Sequence, residues 1–333
     1  MKEEREMNNI EPVLTAPQVS SIAIKHDASF EQLINISEKV NWRLDDVITL
    51  NSVFDFSKNM LPQAFFPLDG FSFLDSSEKL IYNHILSYSY LNIFELSEEF
   101  IIGMALELAQ DEFHSDREAG RALSRFCDEE LKHQEMFTRA RCLLQSNYQT
   151  PLQVLDNYKD ISDFILSHSK PATLLLTIHL ELITQAHYLD GVKDNQGIDP
   201  LFCYILKQHW IEECQHIKID ILEFNRLVAE MEQAQVESIF EEYSQMIIAF
   251  VHTLSAQAAL NVTDLQAETN QNLSAENKIM LVRFTHSAYC NGLLKYGFKH
   301  PHFMRILSDI YSDSTIKLNA LNREVDYQID KLN

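Results

Sequence analysis

The run from His209 to His216 reads His-Trp-Ile-Glu-Glu-Cys-Gln-His. On a helix, His209, Glu213 and His216 share one face at spacings of four and three. A carboxylate flanked by two imidazoles on one stripe suits a first-row transition metal and does little for an apolar core. Upstream, Glu130 and His133 are again three apart. Two Glu-x-x-His helices, each partnered by a glutamate from another helix, make the inward-facing ligand set of a di-iron or di-manganese carboxylate bundle. The chain has candidates for every part of that set.

A single Glu-x-x-His carries little. With 49 acidic residues and 13 histidines, roughly one such pair is expected by chance. The conjunction is what discriminates. Both pairs fall inside helical periodicity, and each follows an apolar helix with an acid near its middle. The second pair also has an extra histidine one turn ahead. In the second half the acid is Glu181, flanked by Leu180 and Leu182. In the first half three acids compete: Glu95 and Glu99 share a face, and Glu98 lies on the neighbouring stripe with Leu91 and Phe94. Spacing alone leaves all three open. Four carboxylates and three imidazoles in one core require a cation, because an unpaired buried carboxylate costs several kcal/mol or titrates to neutral. The competing reading turns Glu98 and Glu181 outward and leaves the histidines to ordinary hydrogen bonds.

Only long helices can position such a set, and the composition provides for them. Seven glycines and eight prolines in 333 residues leave few turns between apolar-periodic runs. The periodicity predicts a helix from Ser29 to about Met60, then an irregular aromatic segment from Pro62 to Asp75. A buried helix follows from Ser77 to about Asp111. Ser115-Asp-Arg-Glu118 reads as a capping box opening the helix of Glu130 and His133. Pro151 and Pro171 suit the first turns of two further helices, the second holding Glu181. The loop GVKDNQGIDP leads into the helix of His209, Glu213 and His216. Later helices cover about 233–261, 277–299 and the stretch after Pro301. Residues 1–28 read as a poorly ordered arm, and 29–333 as a single all-α domain with its metal-binding core at about 77–222.

The remaining composition narrows the class. A net charge of −22 argues against a nucleic-acid surface. No run of about 18 apolar residues marks a membrane span, and Met1 to Met7 lack the apolar stretch of a secretory signal. Five cysteines without a CxxC pair suit reduced thiols in a cytoplasmic protein. Cys127 and Cys214 adjoin the ligand positions and read as packing residues, as do the aromatics Phe94, Phe100 and Tyr188.

At Glu129-Glu130-Leu131-Lys132-His133 and His209-x-x-x-Glu213-x-x-His216 the chain resembles the p-aminobenzoate N-oxygenase (AurF) family of non-haem di-iron oxygenases. The extra histidine is the discriminating feature, since most ferritin-like carboxylate proteins have only Glu-x-x-His there. Ser97-Glu98-Glu99-Phe100, with Tyr90 eight residues earlier, matches the family's context for its first glutamate and selects Glu98. The family's lone glutamate matches Glu181. The likeness spans about Ser77 to Leu222.

The resemblance implies a ferritin-like helical bundle with flanking helices and two iron ions (Fe2+/Fe3+, with manganese as an alternative). The implied ligands are Glu98, Glu130, His133, Glu181, His209, Glu213 and His216, with Glu130 and Glu213 bridging and Glu98 and Glu181 terminal. It also implies O2 as co-substrate, a peroxide held between the irons, and oxidation of a primary amine to hydroxylamine, nitroso or nitro products. A homodimer is implied as well. No dinucleotide fingerprint occurs, so electrons must come from an external donor.

Three other activities share such a ligand set. Another oxygenase reaction (hydroxylation, desaturation or C–C cleavage) uses the same oxidant with a different pocket. A ribonucleotide-reductase small subunit usually places a radical tyrosine where this chain has Phe137. A ferritin-like storage or sensing protein needs neither the length nor the extra histidine.

Overall fold

The computed structural model describes residues 29–229 and 231–332, and those residues form an all-α bundle whose only strand-like pairing is the isolated Asn59–Ile198 bridge. The arm expected over residues 1–28 lies outside the described residues. Helix α1 (Phe30–Val40) opens on Ser29. The Ser29 hydroxyl accepts from the Gln32 amide, and the Gln32 side chain accepts from the Ser29 amide, a reciprocal cap. The helix stops at Val40 rather than near Met60. Beyond it Trp42 turns inward, donating from its indole N–H to the Gln208 carbonyl at 3.1 Å, and only the short α2 (Leu44–Val47) follows. The aromatic segment is irregular, as expected, and buries Phe65, Phe66, Leu68 and Phe71 on the bundle.

Helix α3 (Ser76–Glu112) starts from an Asp75–Glu78 capping box and, at 1.5 Å per residue, is roughly 55 Å long. A short turn leads to α4 (Arg117–Gln145). Its cap is Asp116, whose carboxylate accepts from the amides of Glu118 and Ala119. Ser115, the cap read from sequence, donates instead to Glu112 at 2.8 Å. Pro151 opens no helix. The following amides of Gln153 and Leu155 are taken by side chains of Asp264 and Gln257, which holds that stretch irregular until α5 (Tyr158–Leu166).

Helix α6 (Lys170–His187) carries Pro171 in its first turn and runs into a π turn at Tyr188–Val192. Helix α7 (Pro200–Ala229) begins after Asp199, whose carboxylate accepts from Phe202 N–H at 2.8 Å. The chain continues through α8 (Gln233–Thr269) and α9 (Ala275–Cys290), then a second π turn at Asn291–Lys295. It closes with α10 (Tyr296–Phe298), α11 (Pro301–Ile310) and α12 (Ser314–Leu332).

The pairs α3/α4 and α6/α7 pack face to face through α3–α6 and α4–α7 contacts. Helix α1 lies across α4 and α7 on one side, and α8 lies across α3 and α6 on the other. One contiguous apolar cluster extends from Leu33 to Ile329. Among the described residues α8 alone is long and apolar enough to cross a membrane, with an 18-residue window of mean hydropathy 1.4, half of which is buried. Its packing against α3, α6, α9 and α12 makes it a core helix of this bundle.

Candidate metal centre

Four helices deliver the predicted residues to the bundle interior: Glu98 from α3, Glu130 and His133 from α4, Glu181 from α6, and His209, Glu213 and His216 from α7. All seven are buried. Six of them converge. Ligand atoms of Glu98, His133, His209 and Glu213 lie within 4.8 Å of one another, and so do those of Glu130, His133, Glu213 and His216. The two groups share His133 and Glu213. Glu213 Oε1 stands 3.1 Å from His209 Nε2, 3.4 Å from His133 Nδ1 and 3.4 Å from His216 Nδ1.

The ambiguity on α3 resolves by packing. Glu98 Oε1 lies 3.2 Å from His209 Nε2. Glu95 instead accepts from Arg141 Nε and from the Thr138 hydroxyl, both at 2.9 Å. Glu99 accepts from the Gln134 amide at the exposed surface. Glu181 is buried but stands outside both four-residue groups, and neither of its oxygens has a hydrogen-bond partner.

Mutual hydrogen bonds satisfy only part of the cluster: His133 Nδ1 pairs with Glu130 Oε2 and His209 Nε2 with Glu98 Oε1, both at 3.2 Å. His216 Nδ1 and Glu130 Oε1 are only 2.7 Å apart, yet neither atom has a partner in hydrogen-bonding alignment. Glu98 Oε2 is likewise buried and unpartnered. A fully buried polar atom without a partner is rare in a folded protein, and several aimed at one volume are what a metal site needs. The donor set fits the group: the three carboxylates and three imidazoles that converge suit iron or manganese, with no soft ligand among them. Cys127 and Cys214 stand outside both groups, and burial pushes their thiols up to about 11 and about 12.

Two acids that spacing did not single out complete the arrangement. His133 Nε2 lies 2.9 Å from Glu212 Oε2, and His216 Nε2 lies 2.9 Å from Glu129 Oε2. Each acid directly precedes the ligand glutamate of one motif and serves the histidine of the other. With Nε2–H donated outward, Nδ1 keeps its lone pair for the centre, which fixes both tautomer and ring orientation. Glu129 is itself held by Ser37 Oγ from α1 at 2.5 Å and by Gln215 Nε2 at 2.6 Å. Lys132 Nζ reaches Glu212 Oε1 at 2.5 Å. The doubled Glu-Glu in both motifs was the available signal. Which helix each first glutamate faces could not be read from it.

No family model matches the chain, and no curated protein matches it.

The electrostatics follow from the crowding. Burial alone would lower both motif histidines, but Glu130 and Glu212 hold His133 up to about 9. Glu130 and Glu129 hold His216 well above its ordinary value. Glu130 and Glu213 sit below theirs, the histidines outweighing burial. His209 is depressed, by burial first. A metal ion would take the place of the protons on His133 and His216. Aromatic rings wall the cluster: Phe126 against His216 at 4.4 Å, Phe137 against His209 at 4.9 Å, and Trp42 stacked on His133 at 6.0 Å. Phe94 lies 5.9 Å from His209, whereas Phe100 packs on Phe250 and Tyr188 on Trp210.

A small cavity of about 20 Å³, with room for about one water molecule, lies beyond Phe94, lined by Phe65, Phe66, Tyr90, His187, Tyr289 and Leu293 among others. Tyr90 packs on Phe94 at 4.6 Å, so two rings separate the cavity from His209. His187 accepts at Nδ1 from Tyr90 O–H and donates from Nε2 to the Gly292 carbonyl. Burial pushes it down to about 4, which keeps it neutral.

Proposed function

We propose that the chain is a non-haem di-iron oxygenase that inserts oxygen into the primary amine of a small metabolite. The observation supporting it is the convergence of six buried ligand residues from three helices, including the third histidine, His209. Balanced for the first product, one oxygen atom of O2 goes to nitrogen and the other to water, with two electrons and two protons from an external reductant. Two metal ions, iron or manganese, would supply the activation of O2.

The protein's own residues supply the rest. Glu98, Glu130, Glu213 and the three histidines hold the ions, and Glu129 and Glu212 orient His216 and His133. Phe94, Phe126 and Phe137 keep water from the reactive face. Phe137 at the place of a radical tyrosine favours oxygenation over radical storage.

The test is to load the purified chain with Fe(II) without air, mix it with O2 and follow O2 uptake and amine oxidation over a panel of amines. Amine-dependent uptake with a hydroxylamine, nitroso or nitro product supports the reading. Uptake indifferent to every amine moves the substrate to another class. Simple oxidation to a ferric product, with no dependence on any organic substrate, favours storage.

A further inference from the structure

Beyond the seven residues already placed, the interior holds one more acid with nothing to bind it. Asp220 lies on α7 one turn past His216, so that His209, Glu213, His216 and Asp220 follow at spacings of four, three and four along one stripe. It is fully buried, and neither of its oxygens has a hydrogen-bond partner.

Several other buried acids have partners for both oxygens or for one. Glu129 takes Ser37, Gln215 and His216, Glu212 takes Lys132 and His133, and Asp264 takes the backbone and side chain of Gln153. Among the described residues, Asp220 shares only with Glu181 the condition of both carboxylate oxygens being buried and unpartnered. After burial itself, Asp220 is the strongest influence on Glu181. The groups facing Asp220 are Glu181 from α6, close enough to share a hydrogen bond when one of the two acids is protonated, Glu130 from α4, and Glu213 and His216 from its own helix, with no lysine or arginine among them. With no donor but each other, the two acids keep a shared proton only by leaving one of them neutral, and as two carboxylates they would repel each other in a dry core. A cation between them removes that repulsion.

We infer that Asp220 is an eighth metal-binding residue, which together with Glu181 completes the centre on its His216 side. This rests on the metal-centre reading above. Glu181 and Asp220 both stand outside the two four-residue groups, and Asp220 gives Glu181, predicted as a ligand, a counterpart one turn past His216 on α7.

The experiment measures metal per chain and affinity, by chelator competition with Fe(II) and Co(II), for the full chain and for Asp220→Asn, Asp220→Glu and Asp220→Ser. The Co(II) absorption spectrum and the metal-induced gain in melting temperature are read alongside. The native chain is expected to bind two ions. Asp220→Asn, which keeps the volume and removes the charge, is expected to bind the second ion at least tenfold more weakly. It should also change the Co(II) spectrum and shrink the metal-induced thermal gain, with partial rescue by Asp220→Glu. If Asp220→Asn fails to fold, Asp220→Ser against Asp220→Glu carries the same comparison. A variant that binds two ions with native affinity and spectrum overturns the role of Asp220 and leaves the metal centre standing. A native chain that binds no metal overturns both.

Discussion

Glu212 on α7 accepts a hydrogen bond from His133 of α4 at 2.9 Å, and the mirrored contact runs from His216 of α7 to Glu129 of α4 at 2.9 Å. The two Glu-Glu-x-x-His motifs are thus interlocked, each supplying the acid that orients the other's imidazole. Removing one acid should loosen a ligand without deleting it. Glu212→Gln is expected to weaken metal binding by about 10–100-fold while leaving the native helix content. Chelator competition and far-ultraviolet circular dichroism would check this, and unchanged affinity would count against the orienting role.

His209 distinguishes this centre from a set with one histidine per motif. Its Nε2 sits between Glu98 and Glu213, at 3.2 and 3.1 Å. His209→Ala should cost the ion on the Glu98 side, lowering metal content from two per chain toward one. Glu99→Gln, at the exposed surface beside Gln134, should leave metal content unchanged. Elemental analysis of the two variants side by side tests whether Glu98 rather than its neighbour is the α3 ligand.

Metal binding should be strongly pH-dependent. His133 is held up to about 9 by Glu130 and Glu212 against the opposing effect of burial, and His216 is raised as well. At neutral pH both rings therefore carry a proton that an incoming ion must displace. Affinity is expected to rise with pH until about 9, with protons released on binding. Titration calorimetry in buffers of different ionisation enthalpy measures that release. Affinity independent of pH between 6 and 8 would contradict it.

Two neutral histidines on α6 bind the second π turn. His179 donates to the Leu293 carbonyl at 3.3 Å and accepts from Tyr243, as His187 does with Gly292 and Tyr90. Burial lowers them to about 3 and about 4 from an ordinary 6.5. A depressed histidine favours folding in its neutral form. That stability is present above pH 6.5 and is lost as pH falls from 6.5 toward 4. Melting temperature should fall across that window, and less steeply in His187→Asn than in the native chain.

Gly297 is pressed on the same histidine, since a Cβ there would lie 2.5 Å from His179 Cε1. Gly297→Ala should destabilise the chain by about 1–3 kcal/mol through overpacking. Urea denaturation measures the difference, and a neutral result would show that the π turn can yield.

Much of the fold was written in local pattern. The scarcity of glycine and proline, the 3.6-residue apolar period and the cap at Ser29 point to long helices, because those signals act within a few residues of one another. The stripe His209–Glu213–His216 and the pair Glu130–His133 were legible for the same reason: one helix sets their relative positions. Where periodicity failed, a distant contact had intervened. Trp42 turns in to Gln208 and ends the first helix early, and Asp264 and Gln257 take the amides that Pro151 was expected to start into a helix.

What the helices do to one another is a different kind of information. Sequence placed Glu95, Glu98 and Glu99 within one turn, and only the packing of the helices sends Glu95 to Arg141 on α4 and Glu98 to His209 on α7. The crossed bonds of Glu129 and Glu212, and the meeting of Asp220 with Glu181, need two helices in register. The chain by itself determined which side chains share a face, since helix geometry is local. Which faces meet, and so which carboxylates are satisfied by protein and which are left to hold a metal, was decided by long-range packing of the apolar core.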